Sequence, residues 1–396
     1  MSITSAVVLA AGEGTRLRPL TRNRPKPMLP AGNRPILEYV CDALVEAGIE
    51  RLVVVVGYKR DRVQDGLGHS YRDVPVEYVV QEKQLGSGHA LLQAREAVAG
   101  PVVVVNGDRV IEASTVRATL AAYHEECAAS LAVVANEDAG RYGAVELHDG
   151  RITELVEKPA NDDYRLINGG VYAFGGSVFE ELAATPRTDG SLPLTDTVAR
   201  LIDDGEVRGA RVDGTWADAT YPWDLLTVAR EVLGDGMVSG VQRHPGEWVA
   251  ESATVHEDAT LVAPAVVGPD CEVGAGAVVG PYVALGRNAT VEANATVQTS
   301  VVDADTRVGA GSVLVDAVTG QNVRVGAGAV VPGGPGDVVV GDQVFPDQRL
   351  GAVVADRARL GGGSRCDPGT LVGTGARVGT GVVASGHVAE GAEVVR

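Results

Sequence analysis

The chain has 396 residues, too many for one ordinary compact core, since domains usually run to about 100–200 residues; two domains are the expectation. It carries 52 Asp plus Glu against 34 Lys plus Arg, a formal net charge of −18, which argues against non-specific nucleic-acid binding and against an anionic membrane as partner. Apolar residues make up 45% of the chain but aromatic ones only 4%, so small side chains and 51 glycines must fill the core, as suits β-coils stacked closely.

The first apolar run, Ala6–Ala10, reads as a buried strand. It follows no basic segment, and with Ala11 it is too short for a signal sequence or a membrane span, so the expected location is cytoplasmic. The run passes into Leu9-Ala10-Ala11-Gly12-Glu13-Gly14-Thr15-Arg16. A glycine-rich turn after a buried strand lets backbone N–H groups converge on phosphate oxygens, and Arg16 adds a fixed cationic fork. The third glycine of a dinucleotide fingerprint is missing, with Leu17 in its place, and no Gly-Lys-Ser/Thr follows, which excludes a Walker loop. Taken alone, the glycines could be a mere turn. Next comes Arg24-Pro25-Lys26-Pro27-Met28-Leu29-Pro30, where prolines restrict the backbone around Lys26. Such a loop can hold an ammonium at a phosphate with little loss of entropy.

Further along, Ile36–Ala47 and Gly88–Ala99 read as helices, and Leu52–Val56, Val76–Val80, Val102–Val105 and Leu131–Ala135 as strands. Strand and helix in alternation predict an α/β, Rossmann-like domain with a mainly parallel sheet, whose ligands bind beyond the strand C-termini. Asn106-Gly107-Asp108 ends one of these strands. An isolated Asp there would more often cap a helix.

After about residue 245 the pattern changes. Val249, Val255, Leu261, Val267, Val273, Val279, Leu285, Val291 and Val297 recur at intervals of six, which is a hexapeptide repeat. The phase slips at Val302, resumes through Val308 and Leu314, and returns at Val325, Val372 and Val388; such slips mark extruded loops. Gly361–Ser364 reads as a flexible interruption. Each unit supplies a short strand and a turn, so stacked coils bury a continuous apolar core. The run resembles the left-handed parallel β-helix of hexapeptide proteins, an exception to right-handed crossovers. The expected division is 1–235, an α/β domain; 236–248, a linker; and 249–396, the β-helix.

The two phosphate-facing segments together resemble the signature of the sugar nucleotidylyltransferases. Further landmarks follow in order: Gln81-Glu82-Lys83-Gln84-Leu85-Gly86-Ser87-Gly88-His89-Ala90, Asn106-Gly107-Asp108, Tyr142-Gly143, Glu157-Lys158-Pro159, Asn168-Gly169-Gly170 and Trp216-Ala217-Asp218. The resemblance spans about residues 3–230. It implies that Leu9, Ala10, Ala11, Gly12, Gly14 and Thr15 line the nucleotide, and that Arg16 and Lys26 neutralise the triphosphate. It further implies that Gln81, Gly86 and Ser87 read the base, with UTP preferred to dTTP. Gly143, Glu157 and Asn168 would bind the sugar hydroxyls and Lys158 the sugar 1-phosphate, while Asp108 and Asp218 would hold Mg²⁺. The substrates would be a nucleoside triphosphate and a sugar 1-phosphate. On that resemblance the sugar phosphate oxygen itself would attack, and catalysis would be alignment plus charge neutralisation.

With its β-helix, the whole chain resembles the archaeal bifunctional enzymes that make UDP-N-acetylglucosamine, whose second half acetylates glucosamine 1-phosphate from acetyl-CoA. The resemblance also implies a homotrimer through the β-helix. The histidine-bearing loop of that second half has no counterpart here, since no histidine lies between His256 and His387; both of these read as surface or packing residues. Three readings follow: a nucleotidylyltransferase whose β-helix serves assembly or regulation, a bifunctional enzyme using acetyl-CoA, and a non-catalytic regulatory subunit.

Cys41, Cys127, Cys271 and Cys366 lack ligand spacing and are expected to be reduced and mostly buried. Lysine occurs only at positions 26, 59, 83 and 158, so arginine supplies nearly all the positive charge. With acids scattered along the chain, this reads as a halophilic surface, although an acidic protein from a GC-rich genome would share the composition. Molar KCl, which shortens the screening length to about 3 Å, is expected to leave the melting temperature unchanged or raised; a melting temperature that falls steadily with KCl contradicts this reading.

Overall fold

A computed structural model describes residues 3–159 and 163–395. The chain forms two compact units. One takes the residues up to Glu13, Pro25–Met28 and Ile36–Ala217, and the other takes Gly14–Arg24, Leu29–Pro35 and the residues from Asp218 on.

The first unit is built on a ten-stranded sheet. Its centre is a parallel set in the order Val102–Asn106, Ser5–Ala10, Arg51–Val56, Val74–Val80. Val53, Val54, Val55 and Val56 are all buried, as expected for parallel strands covered on both faces. The helix Ile36–Glu46 packs Leu37, Val40 and Leu44 on one face, and Ser87–Gln93 packs Leu91 on the other. The sheet is more mixed than the sequence predicts. Leu166–Phe174 lies antiparallel between Val102–Asn106 and Ala129–Ala135, and the pair Gly143–His148 and Arg151–Glu157 closes one edge antiparallel. Gly169 and Gly170 interrupt the apolar run of Leu166–Phe174, and the strand bulges there, which is why its pattern is weak in the sequence. The helix expected over Gly88–Ala99 runs as α over Ser87–Gln93 and tightens to a 3₁₀ turn over Ala94–Ala97.

In the second unit short strands are dealt in turn to three parallel sheets of nine, eight and seven strands, so the repeat region is a parallel β-helix. The nine-stranded sheet begins with Val241–His244, which pairs antiparallel to Glu247–Val249. One column of Val, Leu and Ala, including Val267, Leu285 and Val302, fills the coil interior. The helix Asp224–Gly234 covers the outer face of the first sheet, with Leu233 against Val266 and Ala284.

The phase slips have distinct causes. Val267 pairs with Leu285, 18 positions on, but Leu285 pairs with Val302 after only 17, so the slip at Val302 is a shortened turn rather than an extruded loop. A true excursion comes later, where Gly336–Val340 and Gln343–Gln348 form a hairpin outside the coil. Gly361–Ser364 is no interruption: the Gly361 N–H donates to Val378 O at 2.7 Å and the Gly363 N–H to Ala327 O at 2.9 Å, so the ladder runs through it. All four cysteines are buried and outside disulfides. Among the described residues no helix is long and apolar enough to cross a membrane.

Leu285 is fully enclosed and Val383 is 58% exposed. Leu285→Ala is therefore expected to cost about 2–5 kcal/mol, read as a lowered denaturant midpoint of the β-helix transition, and Val383→Ala to stay within about 0.5 kcal/mol. Equal effects would show that the coil interior is not the close-packed core described.

Candidate active site

The central parallel strands of the first unit end along one edge of the sheet, and the motif residues follow them. Leu9 pairs with Asn106, and Ala10 with Val56. The Gly107 N–H donates to Leu9 O at 2.9 Å, and the Ala11 carbonyl accepts from the Gln84 side chain at 3.1 Å and from the Tyr58 N–H at 3.3 Å. The approach is close enough that a Cβ at Gly57 would lie 2.9 Å from Ala11 O. A Cβ at Gly12, in contrast, would meet nothing within 4 Å. The backbone there stands bare over open space, as an anion-binding turn requires.

Asp108 follows directly, and Lys26 is brought to it. Lys26 Nζ lies 2.8 Å from Asp108 Oδ2, the lysine side chain being 11% exposed and the aspartate 33%. Burying an ammonium to that degree requires an anion beside it. The short turn Lys26–Met28 between prolines holds the lysine stem in place.

Gln81 ends the Val74–Val80 strand and is buried. Its Nε2 donates to Gly86 O at 3.1 Å and meets His89 Nδ1 at 2.9 Å. Burial, seconded by Arg187, holds the His89 imidazole below its ordinary pKa. The loop is stitched to Ser191–Leu194. The Ser87 hydroxyl accepts from the Leu194 N–H at 2.9 Å, and the His89 N–H donates to Leu192 O at 3.1 Å. At Gly86, φ is +100° and a Cβ would fall 2.5 Å from Leu192 O, so only glycine fits that crossing.

Gly143, Glu157 and Asn168 also come together. Gly143 and Glu157 are register partners, and a Cβ on Gly143 would stand 3.2 Å from Glu157 Oε2 and 3.7 Å from Asn168 Cβ. The Asn168 amide shapes the bulge of its own strand: Oδ1 accepts from the Gly170 N–H at 2.9 Å, and Nδ2 donates to the Tyr172 hydroxyl at 2.6 Å. Lys158 is exposed, at φ +48°, with its N–H on Tyr142 O at 2.9 Å.

Gly14, Thr15, Arg16 and Asp218 belong to the second unit. Gly14, at φ +69°, turns the chain into the 3₁₀ segment Thr15–Leu17, and its carbonyl accepts from Thr21 Oγ1 at 2.9 Å. The exposed Arg16 guanidinium lies 5.7 Å from the Tyr221 ring centroid, and Tyr221 stacks on Trp223 at 4.8 Å and touches Phe345 at 4.6 Å. Asp218 Oδ2 accepts from the Thr220 hydroxyl at 2.7 Å.

Two residues escape sequence reasoning. Arg109 lies over the Trp216 and Tyr142 rings, at 4.8 and 5.5 Å from their centroids. Glu112 accepts from both the hydroxyl and the N–H of Thr215, at 2.7 and 3.2 Å. The Thr215 hydroxyl, ahead of the backbone N–H and Ser114, holds the Glu112 carboxyl below its ordinary pKa. Their positions next to Asp108 and just beyond it are the only signal in the sequence.

Residues 5–234 match the model of the nucleotidyl transferase family, and residues 261–351 match that of the GMPPB C-terminal domain. The chain is 33% identical to the bifunctional protein GlmU of Methanococcus maripaludis over 394 residues, 94% of this chain and 93% of that one. It is 37% identical to the UTP–glucose-1-phosphate uridylyltransferase AglF of Haloferax volcanii over 224 residues, covering 55% of this chain and 92% of the relative. The solved UDP-glucose pyrophosphorylase of Acinetobacter baumanii superposes with a TM-score of 0.53 at 25% identity, over 60% of this chain and 94% of that one. A bare glycine turn, a paired lysine and aspartate at the strand ends, and a family match across the whole first half agree: the chain belongs to the nucleotidyl transferase family, in the two-part form shared with the archaeal GlmU proteins.

Proposed function

We propose that the chain transfers a nucleoside monophosphate, UMP by preference, from its triphosphate to glucose 1-phosphate or N-acetylglucosamine 1-phosphate, with release of pyrophosphate. The observation that carries this reading is the Lys26–Asp108 pair at 2.8 Å, set at the strand ends beside the bare Gly12 turn. In the proposed roles Lys26 and Arg16 neutralise the triphosphate and the charge that develops at the α-phosphorus, where fixed cations act most strongly. Lys158 takes the sugar phosphate, and Gly143, Glu157 and Asn168 take the sugar. Leu9, Ala10, Ala11, Gly12, Gly14 and Thr15 line the nucleotide.

Gln81, Gly86 and Ser87 form the base pocket. The Gln81 amide nitrogen donates to Gly86 O and meets His89 Nδ1, which turns its Oε1 the other way, as an acceptor for a base N–H such as that of uracil. Thymine offers the same N–H, so the preference for UTP rests on the added methyl group, worth about 1–3 kcal/mol if excluded.

Asp108 and Asp218 suit Mg²⁺, a hard ion that takes one or two carboxylates and fills its shell with substrate phosphate oxygens and water. Among the described residues no three His, Cys, Asp or Glu side chains form a ready-made cage, and a substrate-completed ion needs none. When bound, the ion would draw charge from the phosphates; the side chains supply alignment. The remaining parts of the reading are a division into 1–235, 236–248 and 249–396, a left-handed winding of the coil, a homotrimer through it, a cytoplasmic location and a salt-adapted surface. The hexapeptide period supports the first, and the winding and the trimer are what the resemblance to hexapeptide proteins implies.

The full-length relatives named bifunctional GlmU favour a second reading, acetyl transfer from acetyl-CoA. Against it, His256 is exposed beside Asp258. Asp316 is buried and occupied by Arg349 Nε at 3.3 Å and by the Thr299 hydroxyl. A regulatory subunit would not need Arg16, Lys26, Asp108, Lys158 and Asp218 all intact.

With Mg²⁺ and the two sugar phosphates, pyrophosphate release is expected to be faster from UTP than from dTTP, and Asp108→Asn and Asp218→Asn each to abolish it nearly completely with the melting temperature retained. Wild-type turnover in either variant removes that residue from the metal site. Thiol release from acetyl-CoA with glucosamine 1-phosphate is expected to lag uridylyl transfer by at least about 10²-fold, the contribution of a missing base. Comparable rates, lost on changing His387 or Asp316, would restore the bifunctional reading.

A further inference from the structure

Arg24 lies two residues ahead of Lys26, yet its side chain is directed into the β-helix of its own unit. It is 5% exposed, and it reaches Asp303 and Asp356, themselves 7% and 4% exposed. Nη1 stands 2.5 Å from Asp303 Oδ2, and Nη2 donates to Asp356 Oδ1 at 3.2 Å. Desolvation opposes the charge on the guanidinium, and the two carboxylates outweigh it. Asp356 is itself tied down: Oδ1 accepts from the Gln321 N–H at 2.9 Å, and Oδ2 from the Asn23 amide at 3.2 Å. One step away, Arg22 Nε lies 3.6 Å from Glu390 Oε2.

The coil is modified to receive this loop. In the other coils the residue after the first strand is small: Gly268, Gly286, Gly320 and Gly373 follow Val267, Leu285, Thr319 and Val372, and Ala250, Ala355 and Ala389 follow Val249, Val354 and Val388. After Val302 stands Asp303 instead. Gly320 remains glycine where a Cβ would collide with Asp356 Oδ1 at 2.2 Å. Asp356 and Glu390 hold the next position in their own coils. These acids share one corner of the coil, and the loop opposite carries Arg16, Arg18, Arg22 and Arg24. Beside the anchor a cavity of about 470 Å³ opens, lined by Arg16, Arg18, Arg22, Thr374 and His387. The loop's own structure is two single 3₁₀ turns, Thr15–Leu17 and Leu20–Arg22, too little to hold it in one geometry.

We propose that Arg24 is a positioning residue for nucleotidyl transfer: clamped by Asp303 and Asp356, it fixes the loop that presents Arg16, so the β-helix takes part in the transfer reaction. The proposal rests on the nucleotidylyltransferase reading of Arg16. A guanidinium hydrogen-bonded to one buried carboxylate and ion-paired with another resists sliding along either one. A small displacement of a charge-stabilising group can cost on the order of 10²-fold in rate.

The test uses the full chain with Arg24→Ala, Arg24→Lys, Asp356→Asn and Asn23→Ala. Pyrophosphate release is measured with each substrate varied in turn, beside hydrogen exchange of the amides in 14–24. The expected result for Arg24→Ala and Asp356→Asn is a fall in kcat/KM for the nucleoside triphosphate on the order of 10²-fold. KM for the sugar phosphate stays at its wild-type value, and exchange is faster in 14–24 but unchanged in the β-helix strands. Arg24→Lys, which reaches only one carboxylate, falls between, and Arg24→Ala combined with Asp356→Asn is no worse than either alone. Unchanged kinetics overturn the proposal. So does an equal loss for both substrates with faster exchange throughout the coil, which would make the pair a support of the fold only. If the buried variants fail to fold, Asn23→Ala decides: a rise in KM for the nucleoside triphosphate alone supports the clamp, and wild-type kinetics overturn it. A wild-type protein that releases no pyrophosphate from any substrate pair sinks the functional reading instead, while exchange in the variants still reports whether the clamp holds the loop.

Discussion

An ammonium and a carboxylate held 2.8 Å apart at the end of a buried sheet set the conditions for the rest of the first unit. Lys26 is taken largely out of water, which is tolerable only with a counter-charge in contact. Asp108 supplies it, and because the aspartate is the more exposed partner, solvent and ligands reach the pair from its side. In the proposed reaction, triphosphate oxygens would replace the carboxylate at Lys26, and a divalent ion would replace the ammonium at Asp108. Each charge is satisfied before and after substrate binds, so neither must be buried alone. The central strands, the proline-bounded turn and the close Gly107–Leu9 contact all serve to keep these two side chains within reach.

Much of this was legible in the sequence because it rests on local rules. Runs such as Leu52–Val56 can be little else than buried strands, and a lysine between prolines announces a fixed cation. What stayed hidden depends on contacts between distant segments. Leu166–Phe174 carries two glycines whose purpose, a bulge beside Asn106, has no meaning until the neighbouring strand is in place. A Cβ at Gly170 would fall 2.8 Å from the Asn106 side-chain amide, and no periodicity reports that. Arg109 gains its surroundings from Tyr142 and Trp216, and Glu112 from Thr215, partners 33 to 107 positions away along the chain. Asn168 and Ser87 show the converse. Their motifs assign them to the sugar and the base, and each side chain carries a structural bond, within its own strand for Asn168 and to the distant Leu194 N–H for Ser87.

The repeat teaches a related lesson about the coil. Six-residue spacing specifies which side chain points inward, and the interior column of Val, Leu and Ala follows from it directly. It does not specify the length of the turns. Coils of 18, 17 and 16 positions stack without loss of parallel register, as the pairs Val267 with Leu285, Leu285 with Val302, and Leu371 with His387 show. Residues removed at a corner leave the strands aligned, so a phase slip read from valines alone cannot tell a shortened turn from an extruded hairpin.

The split between lysine and arginine follows the two kinds of work their charges do. With four lysines in the chain, position 26 is one of the few that keeps one, and there the cation would have to exchange one oxygen partner for another. A compact ammonium on a flexible stem can do so without breaking a directed pair of bonds. Arg24 has the opposite task. It holds two carboxylates at once, at 2.5 and 3.2 Å, and a planar fork with fixed donor directions resists being pulled from either. A lysine at 24 would leave one buried aspartate without its cation, and an arginine at 26 would bind Asp108 through a fork slower to surrender it.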